Sequence, residues 1–131
     1  MPDIDPSAIR SWVRTVAASY DRRVGEIAYV FVDDEEILRV NRQYLQHDYY
    51  TDIITFDDST PHVIAGDLII SLDTVRSNAE ALGVPYAREL HRVIIHGILH
   101  LCGINDKGPG ERELMEAAED RALSMASFHL P

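Results

Sequence analysis

His96-Gly97-Ile98-Leu99-His100-Leu101-Cys102-Gly103-Ile104-Asn105-Asp106 closes an almost unbroken apolar run that begins at Leu90. The run reads as one helix, from about Tyr86 to Cys102, around which the rest of the chain is organised. Histidines four residues apart on a helix lie one turn above each other on the same face, so the imidazoles of His96 and His100 can point at one ion. Three residues further on, Gly103 can take the left-handed conformation that ends a helix and turns the chain back. The chain then delivers Asp106, ten residues after His96.

A lone histidine on an apolar helix is ordinarily a satisfied core residue. Two are harder to satisfy: ring nitrogens buried among Val93, Ile94, Ile95, Ile98, Leu99 and Leu101 need polar partners, and one shared cation serves both. Ligand, ligand four on, glycine seven on and ligand ten on is also the skeleton of the metzincin pattern H-E-x-x-H-x-x-G-x-x-H. Here the third ligand is a carboxylate, which zinc accepts readily. Asn105 and Glu111 are substitutes for it. Metalloproteases with this pattern carry Glu directly after the first His as general base. This chain has Gly97 there, so peptide hydrolysis by that route lacks its base.

The 131 residues fit a single domain, 1–131, with room for a real core. Apolar residues make up 46% of the chain, no stretch approaches the ~18 apolar residues of a membrane span, and no basic-then-apolar signal opens it. The expectation is a soluble cytoplasmic protein with no membrane partner. Cys102 is the only cysteine, so no intrachain disulfide is possible. It reads as a small buried hydrophobe rather than a nucleophile. A net charge of −10 repels phosphate backbones unless positive charge gathers locally. Eleven of the twelve basic residues are Arg. Arg22 with Arg23, Arg39 with Arg42 and Arg88 with Arg92 are near neighbours that form either a patch or ordinary solvated helix faces.

In chain order, Asp5 and Pro6 start an amphipathic helix with Ile9, Trp12, Val13, Val16 and Ala17 on its apolar stripe, up to about Tyr20. Glu26 to Val32 is apolar at both alternating sets of positions and predicts a strand buried on both sides. Asp33 and Asp34 cap a helix that runs to Tyr44. A polar and aromatic loop leads to a short strand, Ile53 to Phe56. Val63 to Ser71 is another strand, with Gly66 and Asp67 marking a bulge or close backbone approach. A helix from about Asp73 to Leu82 ends at Gly83 and Pro85. After the histidine helix, Gly108, Pro109 and Gly110 open a last helix with Glu111 and Glu113 in its first turn and Leu114, Met115, Ala118, Ala122 and Met125 on its inner stripe. The result is an α+β fold: a small mixed sheet of three to four strands with about five packed helices, the histidine helix lying zincin-like across one face.

His96 to Asp106 aligns with a signature HGxLHLxGxDH. Thr51-Asp52-Ile53-Ile54-Thr55-Phe56 matches a Thr-Asp-hydrophobic-x-Ser-Phe segment, and Gly66-Asp67-Leu68-Ile69-Ile70 a Gly-Asp-hydrophobic strand. On these motifs, from about residue 26 to about residue 123, the chain resembles the YbeY family of rRNA maturation factors, metal-dependent single-strand endoribonucleases. The resemblance implies a mixed sheet with surrounding helices and one zinc ion per chain held by three side chains. It also implies cytoplasmic action in ribosome biogenesis on rRNA of the small ribosomal subunit, notably around its 3′ end. The family's third histidine falls on Asp106, with Lys107 beside it. An arginine usual in the family, expected to contact RNA phosphate, falls on Leu45.

Carried onto this sequence, the resemblance implies phosphodiester hydrolysis at a zinc ion held by His96, His100 and Asp106, with a zinc-bound water and no side-chain base. Asp52 and Asp67 are candidates to accept the outer N–H of a ligating histidine. His47, Tyr49 and Tyr50 can stack unpaired bases beside the metal, or cover the core as loop aromatics. His62, His91 and His129 have no partner at ligand spacing and read as surface or packing residues. Two other functions stay open: a ribosome-assembly factor that binds rRNA without cleaving it, which Leu45 favours, and a metal-dependent hydrolase of another substrate, which fits the acidic charge.

Overall fold

The helical spacing of Ile9, Trp12, Val13, Val16 and Ala17 becomes the buried stripe of α1 (Pro6–Ala18). Asp5 starts the helix by accepting hydrogen bonds from the backbone N–H groups of Ser7 and Ala8. Then follow β1 (Arg23–Val32), α2 (Asp34–Leu45), β2 (Ile53–Asp57), β3 (Val63–Ser71), α3 (Leu72–Leu82), α4 (Tyr86–Leu101) and α5 (Glu111–Ser124). The computed structural model describes residues 4–45, 51–106 and 108–128, without the side chain of Leu45. His47, Tyr49, Tyr50, Lys107 and His129 therefore lie outside the described residues. Within them, five helices pack on one three-stranded mixed sheet, the α+β arrangement that the sequence predicts.

The strand order is β1-β3-β2. The central β3 runs parallel to β1 and antiparallel to β2. Successive side chains of a strand point to opposite faces, which splits the core in two. Ile64, Leu68 and Ile70 of β3 join α1 and α4 in the main cluster. Ile69 packs on the other face against a smaller cluster of Ile37, Val40 and Ile54.

β1 is not the strand buried on both sides that its composition predicts. It is an edge strand: Ile27, Tyr29 and Phe31 pack on the main core, whereas Val30 on the opposite face is 42% exposed. Both faces are apolar, but α2 reaches only the end of the second one, at Val32. Leu114, expected on the inner stripe of α5, is 66% exposed. That stripe is Met115, Ala118, Glu119 and Ala122, and position 114 is one residue, about 100°, off it.

α4 lies across the sheet and meets both β2 and β3. A Cβ on Gly97 would come 2.7 Å from Ile53 Cδ1 and 2.9 Å from Leu68 Cδ2. Position 97 thus faces the sheet, and this accounts for the missing glutamate after His96: a carboxylate there would be driven among apolar side chains. The Trp12 indole Nε1–H donates to the Ala122 carbonyl at 2.7 Å and ties α1 to α5 behind the helix. No helix among the described residues is long and apolar enough to cross a membrane.

The close backbone approach expected at Gly66 is present. Its φ is +152°, and a Cβ there would sit 2.2 Å from the Phe56 carbonyl oxygen of β2, opposite a register shift in β1 between Val24 and Ile27. Gly66→Ala combines a disfavoured backbone conformation with an overlap that no side-chain rotation relieves. It is expected to lower the unfolding free energy in urea by about 3 kcal/mol or more; a loss below ~1 kcal/mol would contradict this packing.

Candidate metal centre

α4 closes with the geometry that glycine permits. Gly103 takes φ +97°, its N–H donates to the His100 carbonyl at 2.9 Å, and the Ile104 N–H donates to the Leu99 carbonyl at 3.0 Å. This pair of bonds is a Schellman motif, and it reverses the chain so that Asp106 returns to the histidine face. His96 Nε2 lies 3.4 Å from Asp106 Oδ2, and His100 Nε2 lies 3.6 Å from Asp106 Oδ1. One ligand atom from each of the three residues falls within 4.8 Å of the other two.

Those separations fit a metal ion. Zinc–nitrogen and zinc–carboxylate bonds of ~2.0–2.2 Å in a tetrahedron place neighbouring ligand atoms roughly 3.3–3.6 Å apart. The same separations are long for hydrogen bonds between the side chains themselves. Asp106 Oδ1 is buried and has no hydrogen-bond partner among the described residues, a costly condition that a cation relieves. A cleft of about 350 Å³ lined by His100, Asn105, Asp106, Gly108 and Glu111 borders the group.

The other nitrogen of His96 is held. A carboxylate can only accept a hydrogen bond, so His96 Nδ1–H donates to Glu119 Oε2, at 2.6 Å. Arg92 Nη1 donates to Glu119 Oε1 at 3.1 Å. Burial works to raise the Glu119 carboxyl, but the His96 hydrogen bond and the Arg92 charge outweigh it and hold it below the ordinary carboxylate range. The ionised acceptor therefore fixes the proton on Nδ1 and leaves Nε2 facing Asp106.

The family model described as Endoribonuclease YbeY matches residues 2–127. The chain belongs to the YbeY family. Among its relatives, the Endoribonuclease YbeY of Phocaeicola vulgatus is 70% identical over 128 residues, 98% of this chain and 93% of that protein. The Endoribonuclease YbeY of Porphyromonas gingivalis is 55% identical over 125 residues, 95% of this chain and 83% of that protein. The solution structure of TM1509 from Thermotoga maritima aligns with a TM-score of 0.63 at 24% identity, covering 90% of this chain and 81% of that one, a likeness of fold. The YbeY match carries the similarity read from the motifs back through α1.

Other candidates in this YbeY chain lie around the triad or away from it. The sequence offered Asp52 and Asp67 as carboxylates behind the histidines; the oxygen on His96 Nδ1 belongs to Glu119. Asp52 Oδ2 accepts from Asn78 Nδ2 at 3.2 Å and lies 3.8 Å from Arg92 Nη2. Burial raises its carboxyl against the pull of His96 and Arg92. Asp67 is exposed on β3 and lines a cleft with Phe56, Asp57 and Gly66. Asn105 and Glu111 line the cleft beside the triad. Burial pushes the Cys102 thiol up to about 11, so it is protonated near neutral pH. His91 packs against both Trp12 and Phe128, at ring separations of 5.9 and 5.3 Å.

Glu119 escaped the sequence reading, although one signal was present. It is a charged residue inside the stripe of Met115, Ala118 and Ala122, a position that stays buried only if paired.

A divalent transition-metal ion at about 100 times its Kd is expected to stabilise the wild type by ~2.7 kcal/mol. Asp106→Ala should lose most of that gain. In excess chelator the order should reverse: Asp106→Ala removes a buried oxygen with no hydrogen-bond partner among the described residues and melts at or above the wild-type temperature. Thermal scans with and without metal check both; a full metal-dependent shift in Asp106→Ala would contradict the triad.

Proposed function

We propose that this chain is a zinc-dependent endoribonuclease specific for single-stranded RNA. As a single domain over residues 1–131, it would act in the cytoplasm on small-subunit rRNA near its 3′ end during ribosome biogenesis. The observation that carries the reading is the convergence of His96, His100 and Asp106 in a chain of a family described as endoribonucleases.

Two imidazole nitrogens and one carboxylate oxygen, leaving a fourth position open, form a donor set suited to catalytic zinc. When bound, such an ion polarises a phosphoryl oxygen and brings the pKa of a coordinated water down towards ~7. His96, His100 and Asp106 would hold the ion at the edge of the cleft that His100, Asn105, Asp106, Gly108 and Glu111 line, and the Asp106 carboxylate would offset part of its charge. With Gly97 after His96, the site lacks the glutamate that metalloproteases of this pattern carry there as general base. Beside the triad, Arg92 is committed to Glu89 and Glu119; on α2, Arg39 pairs with Glu36. The net charge of −10 disfavours general phosphate attraction, which gives the metal site the larger part in productive binding.

The test uses a labelled RNA that spans the 3′ region of precursor small-subunit rRNA, single-stranded or annealed to its complement. Purified protein is expected to cut only the single strand, to stop in chelator and to recover with zinc. His100→Ala should slow cutting by at least ~10³, or about 4 kcal/mol of barrier. Undiminished cutting by His100→Ala, or in chelator, would overturn the proposal. Ribosomal-subunit binding that survives His100→Ala, with no cutting by the wild type, would assign the chain to assembly without catalysis.

A further inference from the structure

Arg92 stands one helical turn before His96 on α4 and gathers carboxylates from three parts of the fold. It grips Glu89 with two parallel bonds, Nε to Oε1 at 2.8 Å and Nη2 to Oε2 at 2.6 Å. Its Nη1 takes Glu119 Oε1 from α5 at 3.1 Å, and Asp52 Oδ2, just before β2, lies 3.8 Å from Nη2. Glu89 is 1% and Glu119 5% exposed.

Carboxylates this deeply buried are costly for the fold alone; apolar residues of similar volume would serve it as well or better. What the network adds is direction. Glu119 has one oxygen on Arg92 and the other on His96 Nδ1, so it cannot turn without breaking a charge-assisted bond. Arg92 is in turn locked by its fork on Glu89. The imidazole of His96 is thereby held with Nε2 towards Asp106 and His100.

We propose that Glu119 and Arg92 are positioning residues of the metal site: the Glu89–Arg92–Glu119 clamp holds His96 in its ligating orientation and sets the affinity for the ion without touching it. The inference rests on the reading of the triad as a metal site. It also makes the docking of α5 part of metal binding, because α5 supplies the acceptor that aims His96.

The test titrates the metal-free full chain with Zn²⁺ against a chromophoric chelator and records the visible spectrum with Co²⁺, after circular dichroism has matched the metal-free folds. Glu119→Gln is expected to weaken zinc binding about 10–100-fold and to shift the Co²⁺ bands as the His96 ring loses its fixed orientation. Arg92→Lys keeps the charge but loses the planar fork and should weaken binding in the same direction. Glu116→Gln, on the exposed face of α5, should match the wild type. Wild-type affinity and an unchanged Co²⁺ spectrum in Glu119→Gln would overturn the proposal. If that variant does not fold, wild-type values in Arg92→Lys would do so. A wild type that takes up neither ion would instead overturn the metal reading of the triad itself.

Discussion

α4 must satisfy two surfaces at once. One stripe, including Ile94, Ile98 and Leu101, is buried in the main core, and the absent side chain of Gly97 lets the helix settle on Ile53 and Leu68. A neighbouring stripe carries Arg92, His96 and His100, polar groups that have to find partners close to that core. Much of the remaining structure answers the second demand. The Gly103 turn returns Asp106, α5 contributes Glu119, and the segment before β2 brings Asp52 beside Arg92.

This arrangement puts stability and function in tension. Buried pairs such as Arg92 with Glu89 and Glu119 contribute little to folding relative to apolar packing, yet breaking one is severe because it strands a charge. Asp106 is the sharper case. Its buried Oδ1 lacks a hydrogen-bond partner among the described residues, so the fold carries a cost there that a bound cation offsets. Such local conflicts are where a functional site is expected to lie.

The sequence revealed what is local and periodic. The i, i+4 histidines, the glycine after them and the acid beyond specified the triad. The end of α3 followed from the turn residues Gly83 and Pro85, and Gly83 takes the left-handed conformation that closes it. What it concealed depends on neighbours that pattern does not encode. The apolar alternation of β1 is the same for a central or an edge strand, and only the strand order exposes Val30. Leu114 lies one position off a narrow stripe, a difference that helical periodicity resolves poorly. Glu119 joins His96 across 23 positions, a contact set by how α5 lies on α4.

The most direct check on the central claim is X-ray absorption at the zinc edge of the metal-loaded protein. The geometry of α4 and the Gly103 turn predicts a shell of nitrogen and oxygen at ~2.0–2.2 Å with the outer-shell scattering of two imidazoles. A sulfur at ~2.3 Å, or fewer than two imidazoles, would place the ion somewhere other than among His96, His100 and Asp106.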